Sequence, residues 1–394
     1  MIKPIKLIKQ LQQRTPLGWL QLKHDKVRLL TALSGIAFAD ILIFMQLGFK
    51  QALYTTNTQY PRSLRGDIVI TSELATNFNQ LYTFPRRRLY QAMNIPEVES
   101  AEAVYIGSLD WRNPQTKKKT SMMVIGFDPD QPAFDLPQVN SQLDKVKLPD
   151  TVLFDRASRG EYQEVVAQVA AGKTITTEIE RNTITIGGLF KVGASFENDG
   201  ALITSDQNFL RLFPKKQPGT VSLGVINLKP GSDPENVRAS LNTYLPKDIR
   251  AFTYQEYIDA ELNYIKTTKP IGFIFILGTA MGFIVGIVIV YQILSTDVND
   301  HMAEYATFKA MGYRNSYLLG VVFEEAIILA VIGFVPSVAI ASGLYRLTAM
   351  ATALPIVMPL ARAVLVLVLT IIMCGISGAI ATRKLQSADP ADIF

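Results

Sequence analysis

The sequence predicts an α-helical membrane protein with four transmembrane helices per chain and a large α+β domain of two lobes outside the membrane. Three observations carry that expectation. Four apolar runs approach the roughly 20 residues needed to cross about 30 Å of hydrocarbon. A long polar stretch, residues 51–269, separates the first run from the other three. The composition, 48% hydrophobic and 19% charged with a mean hydropathy of +0.19, is too apolar for an ordinary soluble enzyme and too polar for an all-membrane bundle.

Residues 1–28 form a basic N-terminal segment, in which Lys3, Lys6, Lys9, Arg14, Lys23, Lys26 and Arg28 face a single acid, Asp25. By the positive-inside rule this segment stays in the cytoplasm. Leu29–Phe49 is the first span, with Asp40 as its only charge (TM1, 29–50). "AFA" at residues 37–39 imitates a signal-peptidase site, but apolar sequence continues beyond it, so the run reads as an uncleaved anchor. An acid at mid-membrane costs about 2.5–3.5 kcal/mol on insertion scales, so Asp40 must face a helix partner or an aqueous path. A packing hydrogen bond and a proton relay both fit.

Residues 51–269 are long enough for a core of their own and are expected in the periplasm. "GDIVITS" (66–72) reads as a strand, "PRRRLYQAMN" (85–94) as a helix and "VESAEAVYIG" (98–107) as a strand. A second such unit is "VSLGVINLKPG" (221–231), "DPENVRASLNTYL" (233–245) and "DIRAFT" (248–253), with Asp233 as N-cap and Pro234 at the first helical position. Together, residues 51–128 and 220–269 make an α+β lobe. The insert between them, 129–219, reads as β-rich, with "TVLFD" (151–155) and an alternating run over 173–190 that reverses near Arg181 and Asn182. "TYQEYIDAELNYIKTTKP" (253–270) is expected to run as one helix into the second span.

The second span, Ile271–Leu294, carries no charge (TM2, 270–294), and its Gly278, Gly282 and Gly286 form two overlapping small-xxx-small units. That face is a candidate seam for close packing within the chain or between two copies. Residues 295–316 form a cytoplasmic coupling-helix loop, followed by the third span, Ala326–Tyr345, within TM3 (317–345). Glu324 and Glu325 precede it, near enough to the interface to snorkel. A short periplasmic loop (346–362), the fourth span Ala363–Ala381 (TM4, 363–382) and a cytoplasmic tail (383–394) complete the chain.

The connector carries more pattern than a plain link needs. Asp297 or Asp300 suits the start of a helix, Glu304 its first turn and Lys309 its end, while Gly312, after Met311, supplies a left-handed stop. Met302, Tyr305 and Phe308 make a narrow apolar stripe that can lie on the bilayer or enter a groove on a cytoplasmic partner.

Several function classes are excluded or weakened. With one cysteine, Cys374, no intrachain disulfide forms, and with only His24 and His301 beside it no His/Cys metal site is expected. "VAAGKT" (169–174) ends like a phosphate-binding loop, but Ala167 stands where that pattern needs glycine, so ATP must be bound by another chain and no cofactor is expected here. The basic runs 86–88 and 117–119 sit in no nucleic-acid motif and read as solvated faces. No HExxH or GxSxG occurs, which argues for a non-catalytic subunit over a membrane-anchored enzyme.

A long domain after the first span, three closely spaced spans and "EYATFKAMGY" between the second and third resemble MacB-type ABC permeases. A closer resemblance, over essentially the whole chain, is to the DevC family of ABC exporter permeases. It rests on "GIAFADILIFMQLGF", "FPRRRLYQAM", "TVLFDRASRGEY", "PIGFIFILGTAMGFIVGIVIVYQIL", "DHMAEYATFKAMGY" and "RKLQSADPADIF". The resemblance implies a homodimeric inner-membrane permease with both termini cytoplasmic, working with a DevA-type ATPase, a DevB-type adaptor and a TolC-like outer-membrane channel. It implies mechanotransmission through Met302, Glu304, Tyr305, Phe308, Lys309, Met311 and Gly312, and export of a lipid-like cargo such as a glycolipid. The alternative is an FtsX-like regulator that activates a cell-wall hydrolase.

Overall fold

The computed structural model describes residues 26–179, 182–268 and 270–383, so most of the basic N-terminal segment and nearly all of the C-terminal tail lie outside the described residues. The chain divides into two compact units. One comprises residues up to Lys50, Phe273–Leu347 and residues from Ile356 on; the other comprises Gln51–Gly272 and Thr348–Pro355.

The first unit holds the helices that are long and apolar enough to cross a membrane, four among the described residues. They are α1 (Lys26–Thr58), α9 (Pro270–Asp300), α11 (Asn315–Thr352) and α12 (Leu360–Ala381), and the last three carry a short helix, α10 (Met302–Ala310), between α9 and α11. The remaining helices, α2–α8, belong to the other unit. Ala32, Ile36, Ala39, Val290, Leu294, Ala326, Ala330, Met373 and Cys374 form the interior of the bundle. Small and branched side chains there let the helices approach closely. Pro336 lies inside α11.

The second unit is built on a nine-stranded sheet, in the order β11-β1-β10-β3-β4-β8-β5-β7-β6 among the described residues. In chain order the strands are β1 (Ile68–Ser72), β2 (Phe84–Pro85), β3 (Val98–Arg112), β4 (Lys119–Phe127), β5 (Thr151–Asp155), β6 (Ile175–Ile179), β7 (Asn182–Phe190), β8 (Gly200–Ser205), β9 (Thr220–Val221), β10 (Leu223–Leu228) and β11 (Ile249–Thr253). Strands from the two flanking segments make one half, and those of the insert make the other. The halves join where β8 pairs parallel to β4, with Val124 opposite Leu202. Alternation sends Ile68, Ile70, Val124 and Leu202 to one face and Val69, Met123, Ile125 and Ile203 to the other.

Helices cover both faces. α2 (Arg87–Ala92), α5 (Gln163–Ala170), α6 (Asp206–Leu212) and α7 (Pro234–Tyr244) place Leu89, Val165, Phe209 and Leu241 on the first face. α3 (Pro137–Asn140), α4 (Leu143–Val146) and α8 (Tyr254–Thr267) place Val139, Val146 and Tyr257 on the second. Cover on both sides explains why β5 and β8 are buried at every position rather than at alternate ones.

The predicted strands and helices around 66–107 and 221–253 form as expected, Asp233 caps α7 by accepting from Glu235 N, and β6 and β7 flank the predicted reversal. One expected helix is divided. The run 253–270 is not one helix: α8 ends at Thr267 and α9 starts at Pro270, whose ring removes the N–H that an unbroken ladder would use.

Candidate coupling site and membrane core

α10 is stopped by a complete Schellman motif. Gly312 adopts a φ of +89°, its N–H reaches the Lys309 carbonyl at 3.0 Å, and Tyr313 N–H reaches the Phe308 carbonyl at 3.1 Å. The Tyr313 ring sits edge-on to Phe308 with centroids 5.6 Å apart, which is the apolar contact such a stop favours. The predicted cap does not form: the N-cap is His301, without a side-chain bond, because Asp297 and Asp300 belong to the last turn of α9.

The stripe, for which the bilayer surface and a partner groove are both open from the sequence, packs against its own chain. Tyr305 is 2% exposed and packs with Val298 and Val322, while Met302 and Phe308 lie against the same cluster. A short helix between two spans buries its apolar face against the nearest apolar surface, and here that surface is the end of α9 and the start of α11. α10 and its stop present outward Ala303, Glu304, Thr307, Ala310, Met311, Gly312 and Tyr313, with Lys309 half-buried.

Beside this helix lies an ionic cluster that sequence reasoning did not find. Arg28 donates from Nη1 to Asp297 Oδ1 at 2.8 Å and pairs through Nη2 with Asp300. His301 Nδ1 lies 3.1 Å from the Asp297 carbonyl. Glu325 does not snorkel: it is fully buried and faces Asp297. The signal was present in the i, i+3 acids at the end of one apolar run and the arginine at the start of another, which the expected alternation of four crossings brings to the same end of the bundle. At the opposite end of the bundle, Tyr345 donates to the Phe44 carbonyl, and Arg362 donates to Tyr345 Oη at 3.1 Å and to the Val357 carbonyl at 2.8 Å.

Asp40 sits between these two layers and is fully buried. Thr370 Oγ1 donates to its Oδ1 at 2.7 Å and Ser337 Oγ to its Oδ2 at 3.1 Å, so one carboxylate ties α1 to α11 and α12. This geometry is that of a packing clasp.

The glycine seam packs within the chain. A Cβ at Gly278 would stand 2.5 Å from Gln46 Cδ, one at Gly282 3.2 Å from Ile43 Cγ1, and one at Gly286 2.0 Å from Met373 Sδ and 3.0 Å from Ala39 Cβ. The seam therefore admits α1, with Met373 of α12 closing its end. The other face of α9 exposes Phe273, Ile274, Leu277, Met281, Ile284 and Val288.

The remaining motifs take the structural roles their surroundings suggest. In "VAAGKT" a helix precedes the glycine and a strand follows it, the reverse of a phosphate loop, and Gly172 turns with a φ of +78°. The run 86–88 is not wholly the solvated face expected of it: Arg88 is buried and paired with Asp248 at 2.8 Å, which ties α2 to the start of β11. No group of three or more His, Cys, Asp or Glu side chains suited to a metal occurs among the described residues.

Residues 264–390 match the family described as FtsX-like permease C-terminal. That match takes in the last three long apolar helices, α9, α11 and α12, which are therefore similar to an FtsX-like permease C-terminal region, while the α/β unit lies almost wholly outside it. No curated protein sequence matches the chain. Among solved structures, the periplasmic region of MacB from Actinobacillus actinomycetemcomitans aligns over 52% of this chain and 95% of its own at 11% identity, with a TM-score of 0.33. The extracellular domain of the noncanonic ABC-type transporter YknZ from Gram-positive bacteria aligns over 48% and 100% at 12% identity, TM-score 0.31. A permease domain from Porphyromonas gingivalis aligns over 49% and 89% at 15% identity, TM-score 0.30.

Proposed function

We propose that the chain is the membrane subunit of an ATP-driven tripartite ABC exporter. In this reading two copies pair in the inner membrane, with both termini cytoplasmic and the α/β domain in the periplasm. A separate DevA-type ATPase binds and hydrolyses ATP, and a DevB-type adaptor and a TolC-like channel carry a lipid-like cargo, such as a glycolipid, outward. The chain itself catalyses nothing.

The observation that supports this best is the construction of α10. Its apolar side is locked into the bundle by Tyr305, its end is fixed by the Schellman stop, and Arg28 ties the preceding helix end to α1. An anchored lever whose outer face mixes Glu304 and Thr307 with exposed Met311 and Tyr313 is what a cytoplasmic motor needs in order to grip and push on a membrane bundle. The contact with the ATPase then falls to Glu304, Thr307, Met311 and Tyr313, while Tyr305 and Phe308 pass the push inward.

Co-purification from native membranes tests this. A Glu304→Lys, Met311→Asp chain should stay folded and lose its ATPase. Undiminished recovery of the ATPase would remove the coupling assignment. Recovery of a cell-wall hydrolase in place of an adaptor and an outer-membrane channel would replace export with FtsX-like regulation.

A further inference from the structure

A cavity of about 450 Å³ in the extramembrane unit plays no part in the coupling scheme. Arg159, Gln163 and Lys191 line it on one side, and Met350, Ala353 and Leu354 on the other. The volume is that of a small-ligand pocket.

Its polar wall is preorganised. The buried Asp155 carboxylate accepts from Ala157 N at 2.9 Å, Val192 N at 3.2 Å and Gly193 N at 2.6 Å, which holds together the two backbone segments that form the wall. Arg159 is committed to structure: Nη1 pairs with Asp199 at 2.8 Å, and Nε and Nη2 donate to the carbonyls of Thr352 at 2.7 Å and Ser195 at 3.0 Å. Lys191 is different. It is exposed and takes part in no hydrogen bond or ion pair among the described residues. With Asp199 neutralising Arg159, the wall keeps one positive charge to spare.

The apolar wall comes from the last turn of α11, a helix hydrophobic enough to cross a membrane, and from the residues just after it. Met350 is 83% exposed, and its flexible thioether suits an acyl chain of variable shape. Ala353 holds a left-handed φ of 54°, and its N–H returns to the Ala349 carbonyl at 2.9 Å, so the chain turns sharply at the lip instead of filling the cavity. A free anion would need only the basic side. A site half built from the end of a membrane helix suits a molecule with both a charge and a chain.

We propose that this cavity binds the anionic headgroup of a membrane amphiphile, with Lys191 pairing the anion and Met350 covering the first methylenes. The inference rests on the exporter reading only in calling the bound amphiphile cargo, so binding and transport are read separately. Dihexanoyl phosphatidylglycerol is titrated into the full chain in phosphatidylcholine nanodiscs, with empty nanodiscs as the partitioning blank. The Lys191→Gln chain should bind about tenfold more weakly, the size of one charge-assisted contact, while Lys191→Arg retains binding. Met350→Ser should weaken binding of the phospholipid and leave any response to inorganic phosphate unchanged. Equal affinity of the wild-type and Lys191→Gln chains would overturn the proposal. So would inorganic phosphate binding as tightly as the phospholipid, which would assign the site to a free anion. Loss of binding in Lys191→Gln with export intact would sustain the site and sever it from cargo, whereas a chain that binds the phospholipid but has no exporter partners would refute only the transport reading.

Discussion

Two buried acids, one in each unit, are held by different partners. Asp40 faces the Thr370 and Ser337 hydroxyls, and the single hydrogen of each is shared between this carboxylate and a carbonyl of its own helix, Val366 or Phe334. Asp40→Asn keeps an acceptor in place, so the thermal midpoint of the purified chain and its export should stay near wild type. Asp40→Ala removes the clasp and should cost about 1 kcal/mol, the scale of polar contacts between membrane helices. Export abolished in a fully stable Asp40→Asn chain would instead make the proton on this carboxyl functional. Glu261, in α8, belongs to the α/β unit. Burial pushes its carboxyl from 4.5 up to about 8, against the opposing pull of the Phe78 N–H and the Tyr257 hydroxyl. The folded chain therefore holds a proton that the unfolded chain releases, so this contribution to stability is complete below about pH 4.5 and is lost as pH rises through about 8. Melting curves of the full chain between pH 5 and 9 should fall more steeply for wild type than for Glu261→Gln. Parallel profiles would show that Glu261 is not the group responsible.

At the scale of elements, the glycine seam orders α9 against α1 by how little room each position leaves. Gly286 is tightest, between Met373 Sδ and Ala39, and Gly282 is looser. Gly286→Leu should destabilise by about 1–3 kcal/mol or more, the range for overpacking a filled core, and Gly282→Leu by less. Because the nearest atom at residue 286 is the end of a flexible side chain, Met373→Ala should recover part of the loss in Gly286→Ala. Denaturation in mild detergent measures both, and a Gly282→Leu chain that is the less stable of the two would reverse the order. The seam was legible as a spacing of small residues, but its partner was not: a glycine stripe says that something comes close and leaves open what. The stripe on α10 has the same limit. Met302, Tyr305 and Phe308 mark an apolar face at helical spacing, and only the positions of Val298 and Val322 decide that this face turns inward. β4 and β8 escape the linear reading for local reasons, since Lys117–Lys119 hides the start of one and the other opens on Gly200, a residue that disfavours strands.

For the whole molecule, the proposed topology of alternate crossings puts residues 295–316 on the opposite membrane side from residues 51–269. Cys374, the chain's single cysteine, is buried, so an introduced cysteine can report cleanly. A membrane-impermeant maleimide added to intact cells should label Lys173→Cys and leave Glu304→Cys unlabelled. Labelling of Glu304→Cys from outside would invert the topology and end the coupling proposal. Hydrophobic length, flanking charge and strand or helix period are properties of contiguous residues, and so the number of spans, the order of strands and helices around 66–107 and 221–253, and the left-handed stop at Gly312 could all be read along the chain. Pairings between distant residues cannot, because they depend on which surfaces meet. The joining of both halves into one sheet through β4 and β8, the burial of Tyr305, the clasp on Asp40, the Arg28–Asp297 pair and the cavity beside Lys191 were all decided by tertiary packing, where desolvation and close contact choose among partners that the linear pattern leaves equivalent.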